Sequence, residues 1–256
     1  AERDALMKER ADLADLLDSE KRQWKRIGKE LDEVRKLYGK ATALGRRRSQ
    51  FADAGEVEDI PYEAMIDREP ITVLCSKMGW IRAMKGHVDL GQEQKFKDGD
   101  GPRFAFHAET TDKILLFADN GRFFTLLGAN LPGGRGMGEP VRLMVDLPND
   151  TGITDLMIYR AGERLLIASD AGDGFIVPAE ELVAQTKAGK AVLTVRDGVK
   201  AAICTPVRGD SVAVVGDNRK LLVFPLAELP EMAKGKGVRL QKYKDGGLSD
   251  VKVFRL

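Results

Sequence analysis

Hydrophobic residues follow two different patterns in this chain, and the pattern changes near residue 69. In the first part they recur every three or four positions among dense charge, which predicts a helix. In the second part they form runs of four to six residues separated by short turns rich in Asp, Asn and Gly, which predicts β-hairpins. We therefore expect a helical region followed by a mainly β domain.

Residues 2–38 predict one long helix, because they contain no Pro and only Gly28 interrupts them. Gly39 is placed to end the helix, and we expect residues 1–45 to form a coiled-coil-type arm. A single helix cannot bury its apolar seam, so we predict self-association through residues 2–38; the alternative is a surface helix packed on its own domain. The seam has heptad spacing and consists of Leu6, Leu13, Leu17, Trp24, Ile27, Leu31, Val34 and Tyr38.

Residues 46–69 begin with three arginines, then turn acidic and lose this periodicity, which predicts a linker. The β domain is expected over residues 70–256. That domain contains four copies of one element: ITVLCSKMGWIRAM, KILLFADNGRFFTL, RLLIASDAGDGFIV and SVAVVGDNRKLLVF. Their shared turn positions, 42, 51 and 47 residues apart, are Lys77, Asp119, Asp170 and Asp217. A hairpin repeat of about 40–50 residues predicts propeller-like blades.

A Leu and then a basic residue beside glycine follow three of these hairpins. The Leu positions are Leu131, Leu182 and Leu229, and the basic elements read GGRGMG, TKAGK and AKGKG. One such element would be an ordinary solvated loop, but three in register predict a positive rim that binds the phosphates of bent duplex DNA without reading its sequence. The candidate DNA-binding residues are Arg82, Lys85, Arg135, Lys187, Lys190, Lys234 and Lys236.

Composition narrows the function further. The net charge is +1, so anion binding must come from local clusters. Two Cys and two His predict neither a disulfide framework nor a metal site, and Cys75 and Cys204 are expected to be buried free thiols in a reducing cytoplasm. Signal-peptide, membrane-span and catalytic motifs are missing, so we expect a non-catalytic fragment of a longer cytoplasmic protein that needs no cofactor itself.

Several segments resemble the A subunits of bacterial type IIA topoisomerases. EPITVLCSKMGWIRAMKGH resembles the first-blade signature of their C-terminal domain, and LLIASDAGDGFIVPAEELVAQTKAGKAV and LAELPEMAKGKG resemble later blades of topoisomerase IV A subunits. LADLLDSEKRQWKRIGKELDEVRKLYG resembles the end of the preceding coiled-coil arm. The resemblance covers nearly the whole chain. It implies a β-pinwheel of about four to five blades, often an open ring, which bends or wraps DNA on its outer rim.

The resemblance also implies a holoenzyme. The parent would be an ATP-hydrolysing topoisomerase that decatenates chromosomes and relaxes supercoils, with duplex DNA, the topoisomerase IV B subunit and a second A subunit as partners. ATP, Mg²⁺ and the catalytic tyrosine would act outside this chain. Gyrase A subunits carry a glutamine-led, glycine-rich basic box where this chain has Gln92-Glu93-Gln94-Lys95-Phe96-Lys97-Asp98, without glycines and with two acids. That departure favours topoisomerase IV over gyrase.

Two other classes of protein remain as alternatives to a DNA-binding domain. One is a protein-binding propeller scaffold without DNA activity, which would bind DNA with little salt dependence. The other is a hydrolase, which would need a polar pocket with catalytic groups that the sequence does not indicate.

Overall fold

The computed structural model describes residues 2–49, 66–134, 136–242 and 245–256. The chain separates into two compact units, Ala1–Asp59 and Ile60–Leu256. The first contains helices and the second contains four antiparallel β-sheets. The first strand begins at Pro70, and most of the predicted linker lies outside the described residues.

The first unit has two helices, α1 (Glu2–Asp18) and α2 (Glu20–Tyr38), so the prediction of one continuous helix is wrong. The break is at Ser19, whose backbone is extended (φ −124°, ψ 101°) and whose carbonyl accepts the N–H groups of Arg22 and Gln23. Ser is favoured at the start of a helix rather than inside it, because its side chain competes for backbone hydrogen bonds. Gly28 does not interrupt α2.

The second unit is built from hairpins. Its described residues form fifteen strands: β1 (Pro70–Ser76), β2 (Trp80–Lys85), β3 (Pro102–Glu109), β4 (Lys113–Ala118), β5 (Arg122–Leu127), β6 (Glu139–Pro140), β7 (Ile153–Ile158), β8 (Arg164–Ser169), β9 (Asp173–Pro178), β10 (Lys190–Ala191), β11 (Ala201–Pro206), β12 (Ser211–Gly216), β13 (Leu221–Pro225), β14 (Val238–Arg239) and β15 (Leu248–Phe254). The four predicted hairpins are confirmed as β1–β2, β4–β5, β8–β9 and β12–β13.

Each sheet, called a blade below, combines one hairpin with strands that come later in the chain. The strand orders of blades 1 to 4 are β3-β1-β2-β6, β10-β5-β4-β7, β11-β8-β9-β14 and β13-β12-β15. The short strands β6, β10 and β14 each follow one hairpin but pair with the second strand of the preceding blade. Neighbouring blades therefore exchange a strand.

The hydrophobic cores lie between neighbouring blades. Strand β4 of blade 2 shows why its run from Ile114 to Ala118 is continuously apolar. Ile114 and Leu116 pack toward blade 1, whereas Leu115 and Phe117 pack toward blade 3. A strand buried on both faces needs a continuous apolar run. A third core joins blades 3 and 4.

The array is open rather than a closed ring among the described residues. No strand pairing joins blade 4 to blade 1. The last strand, β15, pairs with β12 of the fourth hairpin.

Candidate nucleic-acid interface

Three crossing connections carry the exchanged strands between blades: residues 128–140, 179–191 and 226–239. Each begins with a 3₁₀ turn, Gly128–Asn130, Ala179–Leu182 or Leu226–Glu228. The recurring Leu of each is buried in the core of the junction that the connection crosses: Leu131, Leu182 and Leu229. This Leu fixes the start of every connection.

A glycine fixes the end of every crossing connection. Gly138, Gly189 and Gly237 stand directly before β6, β10 and β14, and all three have positive φ. A Cβ on Gly138 would lie 2.3 Å from the carbonyl oxygen of Ile81, and one on Gly237 would lie 2.3 Å from that of Gly174. These glycines therefore let the chain enter the neighbouring blade.

The crossing connections lie on the outer side of the second unit. Strands at the opposite edge of the sheets converge, because β11 contacts both β7 and β15. Strands β7 and β11 also line one groove together with β3, a cavity of about 490 Å³. The edge that carries β6, β10 and β14 consequently faces outward.

Lys187 and Lys234 are exposed on two of these connections. Neither side chain has an ion-pair or hydrogen-bond partner among the described residues. They are therefore available to an external anion. Arg135, at the corresponding place in the first connection, lies outside the described residues.

Lys190 and Lys236 lie close to the same two lysines but are paired with acids. Lys190 Nζ is 2.7 Å from a carboxylate oxygen of Glu181, and Lys236 Nζ is 3.2 Å from one of Asp173. The Lys190 pair is at the surface, where such pairs contribute about 0–1 kcal/mol, so a phosphate can compete for this lysine. Asp173 is buried and also contacts Arg239, at 3.4 Å, so Lys236 shares its carboxylate with a second cation. Both lysines stay among the candidates.

Lys85 is placed differently from the other candidates. It is the last residue of β2 and ion-paired to Glu69 at 3.1 Å, so it does not lie on a crossing connection.

Arg82 is 6% exposed, so its placement does not support a phosphate contact. Its guanidinium donates hydrogen bonds to the carbonyls of Gly136 and Lys95, the latter at 2.9 Å, and lies over the ring of Phe96. It holds residues 86–101 and the first crossing connection onto blade 1.

Sequence reasoning missed another basic residue at the junctions. Arg122, in β5, donates to the carbonyls of Ala188 and Gly189 at 2.8–3.1 Å and fastens the second crossing connection to blade 2. The arginine itself is plain in the sequence, but its partners become visible only once the strand exchange is known.

Comparisons with known proteins agree with this architecture. The family described as DNA gyrase C-terminal domain, beta-propeller, matches residues 163–205 and 210–248. The A subunit of DNA topoisomerase 4 from Rickettsia bellii (strain RML369-C) is 46% identical over 252 residues, 97% of this chain and 34% of that protein. The protein of the same name from Caulobacter vibrioides (strain ATCC 19089 / CIP 103742 / CB 15) is 49% identical over 255 residues, 96% of this chain and 33% of that protein.

The chain belongs to the family of DNA topoisomerase IV A subunits. Among solved structures, the E. coli ParC C-terminal domain has a TM-score of 0.66 and 28% identity, covering 72% of this chain and 78% of that one. The C-terminal domain of a DNA topoisomerase IV has a TM-score of 0.64 at 17% identity, covering 74% and 62%, which shows the same fold. The chain spans about a third of the length of the curated relatives it matches.

The segment at residues 92–98, which lacks glycines and carries Glu93 and Asp98, lies on blade 1. Lys97 Nζ is 3.6 Å from the centre of the Trp80 ring, and Arg82 binds the Lys95 carbonyl. Both lysines are exposed. The segment is thus a folded cover on the first blade.

Both cysteines are free, Cys75 buried and Cys204 half-buried. Burial raises the pKa of Cys75 to about 12 and that of Cys204 well above its ordinary value, so neither forms a thiolate readily. In the described part of the chain, no group of three His, Cys, Asp or Glu residues is placed to hold a metal ion, and neither helix is long and apolar enough to cross a bilayer.

Proposed function

We propose that this chain is the DNA-binding and DNA-bending C-terminal part of a topoisomerase IV A subunit. The observation that carries the proposal is the repeated placement of basic residues on outward-facing crossing connections, with Lys187 and Lys234 exposed and unpaired among the described residues. Successive junctions present these cations along a curved array. Duplex DNA is a regular row of phosphates, so it can follow the array by bending.

Binding by this surface depends on charge rather than on base identity. The crossing connections are loops with short 3₁₀ turns and two-residue strands, and their described residues form no α-helix that could enter a major groove. The contacts are then to phosphates, from Lys187, Lys190, Lys234, Lys236, Arg135 and Lys85. Arg82 acts from inside the blade by holding the loops in place.

In the parent enzyme, the domain would position duplex segments for ATP-dependent strand passage. The B subunit and a second A subunit would supply ATP hydrolysis, Mg²⁺ binding and the second half of the DNA gate, as the family resemblance implies. We propose a bacterial cytoplasmic location on the nucleoid. The relatives named as topoisomerase 4 proteins favour this function over that of gyrase.

Salt-dependent DNA binding tests the proposal. Four to six phosphate contacts predict a slope of about −4 to −5 in a log–log plot of affinity against salt. The double variant Lys187→Glu/Lys234→Glu should weaken binding to unrelated duplexes equally and make the slope shallower by about two, one for each lost phosphate contact.

The matched control is Arg160→Glu/Lys252→Glu, which makes the same charge change at the inner edge, after β7 and within β15. It should leave the slope nearly unchanged. Equal weakening by both double variants would show an effect of overall charge and would contradict phosphate binding at the crossing connections. A flat salt dependence of the unaltered chain would favour a protein-binding scaffold. Thermal unfolding should be unchanged in all variants, because exposed substitutions cost about 0.5 kcal/mol or less.

A further inference from the structure

The outer edge of blade 4 is exposed and apolar. In blades 1 to 3 the second strand of the hairpin pairs on both sides, but among the described residues β13 pairs only with β12. The side chains at this edge are largely exposed: Leu221 is 63%, Leu222 42% and Val223 43% exposed. Such an edge can pair with another strand.

The repeat shows which backbone groups of β13 point away from β12. In blade 1 the N–H of Ala83 donates to the carbonyl of Pro132 at 2.8 Å, and in blade 3 that of Ile176 donates to Pro230 at 3.0 Å. Both donors stand six residues after the shared turn position, where blade 4 has Val223. The peptide groups of Leu221 and Val223 therefore face outward.

The same comparison identifies an apolar face beside this edge. Ala213 and Val215, in β12, are opposite Val223 and Leu221 and point away from the core shared with blade 3, which contains Val212 and Val214. In blades 2 and 3 the equivalent positions are buried against the next blade. Blade 4 thus presents a surface of the kind that its neighbours bury.

Blade 1 does not supply the missing strand within the same chain. Its segment 86–101 is held on its own blade, where the Thr72 hydroxyl donates to the Gly86 carbonyl at 2.8 Å and accepts the Val88 N–H at 2.9 Å. At the place of the left-handed Gly138 and Gly189 it has Phe96. A side chain there prevents the tight entry that the other connections make.

We propose that β13 pairs with β13 of a second copy of this chain, antiparallel about a two-fold axis at Leu222. Pro225 decides the register, because it lies at an outward-facing position and has no N–H to donate. Centring on Leu222 places Leu221 opposite Val223 of the partner subunit, so both copies donate and accept without using the proline. The result is a continuous six-stranded sheet.

The short edge makes this association weak. Stable dimers bury about 1,200–2,000 Å² in total, which is more than a five-residue edge provides. A covalent trap is therefore the sharpest test. Leu222 would face its own counterpart in a non-hydrogen-bonded pair with Cα atoms about 4.5 Å apart, within the range of a disulfide. Val223 would lie out of register with its counterpart.

The experiment uses the full chain with Leu222→Cys or, as the matched control, Val223→Cys, treated with oxidised glutathione over a range of protein concentrations. Leu222→Cys should give at least about fivefold more disulfide-linked dimer than Val223→Cys, because only the first pair has disulfide geometry. The wild-type thiols, Cys75 and Cys204, are common to both variants and have raised pKa values.

A second substitution in the Leu222→Cys variant, Val223→Pro, removes the outward N–H of residue 223 and leaves the hydrogen bonds to β12 in place. It should therefore abolish the disulfide-linked dimer. Val223→Lys, which adds charge at the edge, should do the same if the proline variant does not fold. Equal cross-linking of the two cysteine variants, a Leu222→Cys dimer that survives both edge substitutions, or no dimer at all would overturn the proposal. DNA binding by the Val223→Lys variant should be unchanged, which separates this test from that of the rim.

Discussion

Arg219 is the only described residue other than glycine with a positive φ, 63°. It ends the turn of the fourth hairpin, where the first three hairpins have Gly79, Gly121 and Gly172, all with positive φ. In each turn this residue donates its N–H to the carbonyl three residues earlier, at 2.8 Å for Arg219. The turn geometry is thus kept in the fourth copy against the preference of its side chain.

Replacing Arg219 by Gly should therefore stabilise the second unit. A left-handed conformation costs an L-residue about 1–2 kcal/mol, which glycine avoids. Glycine also makes the unfolded chain more flexible, which lowers the free energy of unfolding by about 0.4–1 kcal/mol. We therefore expect a net gain of roughly 0.5–1 kcal/mol. Thermal unfolding would show it as a rise of about 1–4 °C. Lys220→Gly is the control in the same turn and should destabilise, since Lys220 has no positive φ. A loss of stability in Arg219→Gly would contradict the argument.

Arg82 shows where residue-level reasoning from the sequence fails. It stands close to a repeated basic position, which suggested a rim contact, but it lies on the face of β2 that the segment 86–101 covers. Its Nε has no hydrogen-bond partner among the described residues. A sequence shows that residue 82 is charged; only the fold shows that the first blade needs a cover and that this side chain holds it.

At the scale of elements, the hairpins were predictable and the exchanged strands were not. Long apolar runs around Asp-Asn-Gly or Asp-Ala-Gly predict strands and turns directly. The exchanged strands are two residues long, Glu139–Pro140, Lys190–Ala191 and Val238–Arg239, and have no common pattern. Their pairing comes from the buried Leu before them and the left-handed Gly, which act through contacts distant in sequence.

The helices gave the opposite result: their existence was predictable, but their break was not. The apolar spacing continues through Ser19 and hides the point where α1 ends and α2 begins. Gly39 follows α2 as expected, but in an extended conformation rather than a left-handed one. Periodicity reports which face is apolar and carries little information about a single capping residue.

The exposed seam of these helices predicts self-association of the first unit. Leu31 is 62% exposed, as are the other seam residues to a similar degree, and burying one such side chain is worth roughly 1.5–3 kcal/mol. Sedimentation of the full chain should show a concentration-dependent assembly that Leu31→Lys weakens. Leu37→Lys is the control, since Leu37 is equally exposed on α2 but lies outside the seam. If the unaltered chain stays monomeric at high concentration while its helices are intact, self-association through the seam is refuted.

At the scale of the whole second unit, the two ends of the blade array differ. Blade 1 covers its outer face with its own segment 86–101, whereas blade 4 leaves an apolar edge open. The crossing connections occupy the three junctions between, so the basic rim is an arc and not a circle. Terminal repeats generally need a cover of this kind, because no neighbour buries their outer face.

This arc predicts how the chain changes DNA topology. A duplex held at three junctions is bent but does not make a full turn, and the segment at 92–98, which lacks glycines and carries Glu93 and Asp98, is folded onto blade 1 rather than extending the path. Circularisation of short linear duplexes by ligase should therefore be faster in the presence of the chain, whereas ligation of nicked circles should show only a small shift in linking number. Lys187→Glu/Lys234→Glu should remove the faster closure. A large shift of one hand would mean that DNA is wrapped beyond the arc, as a gyrase-like domain would do, and that the open array closes around its substrate.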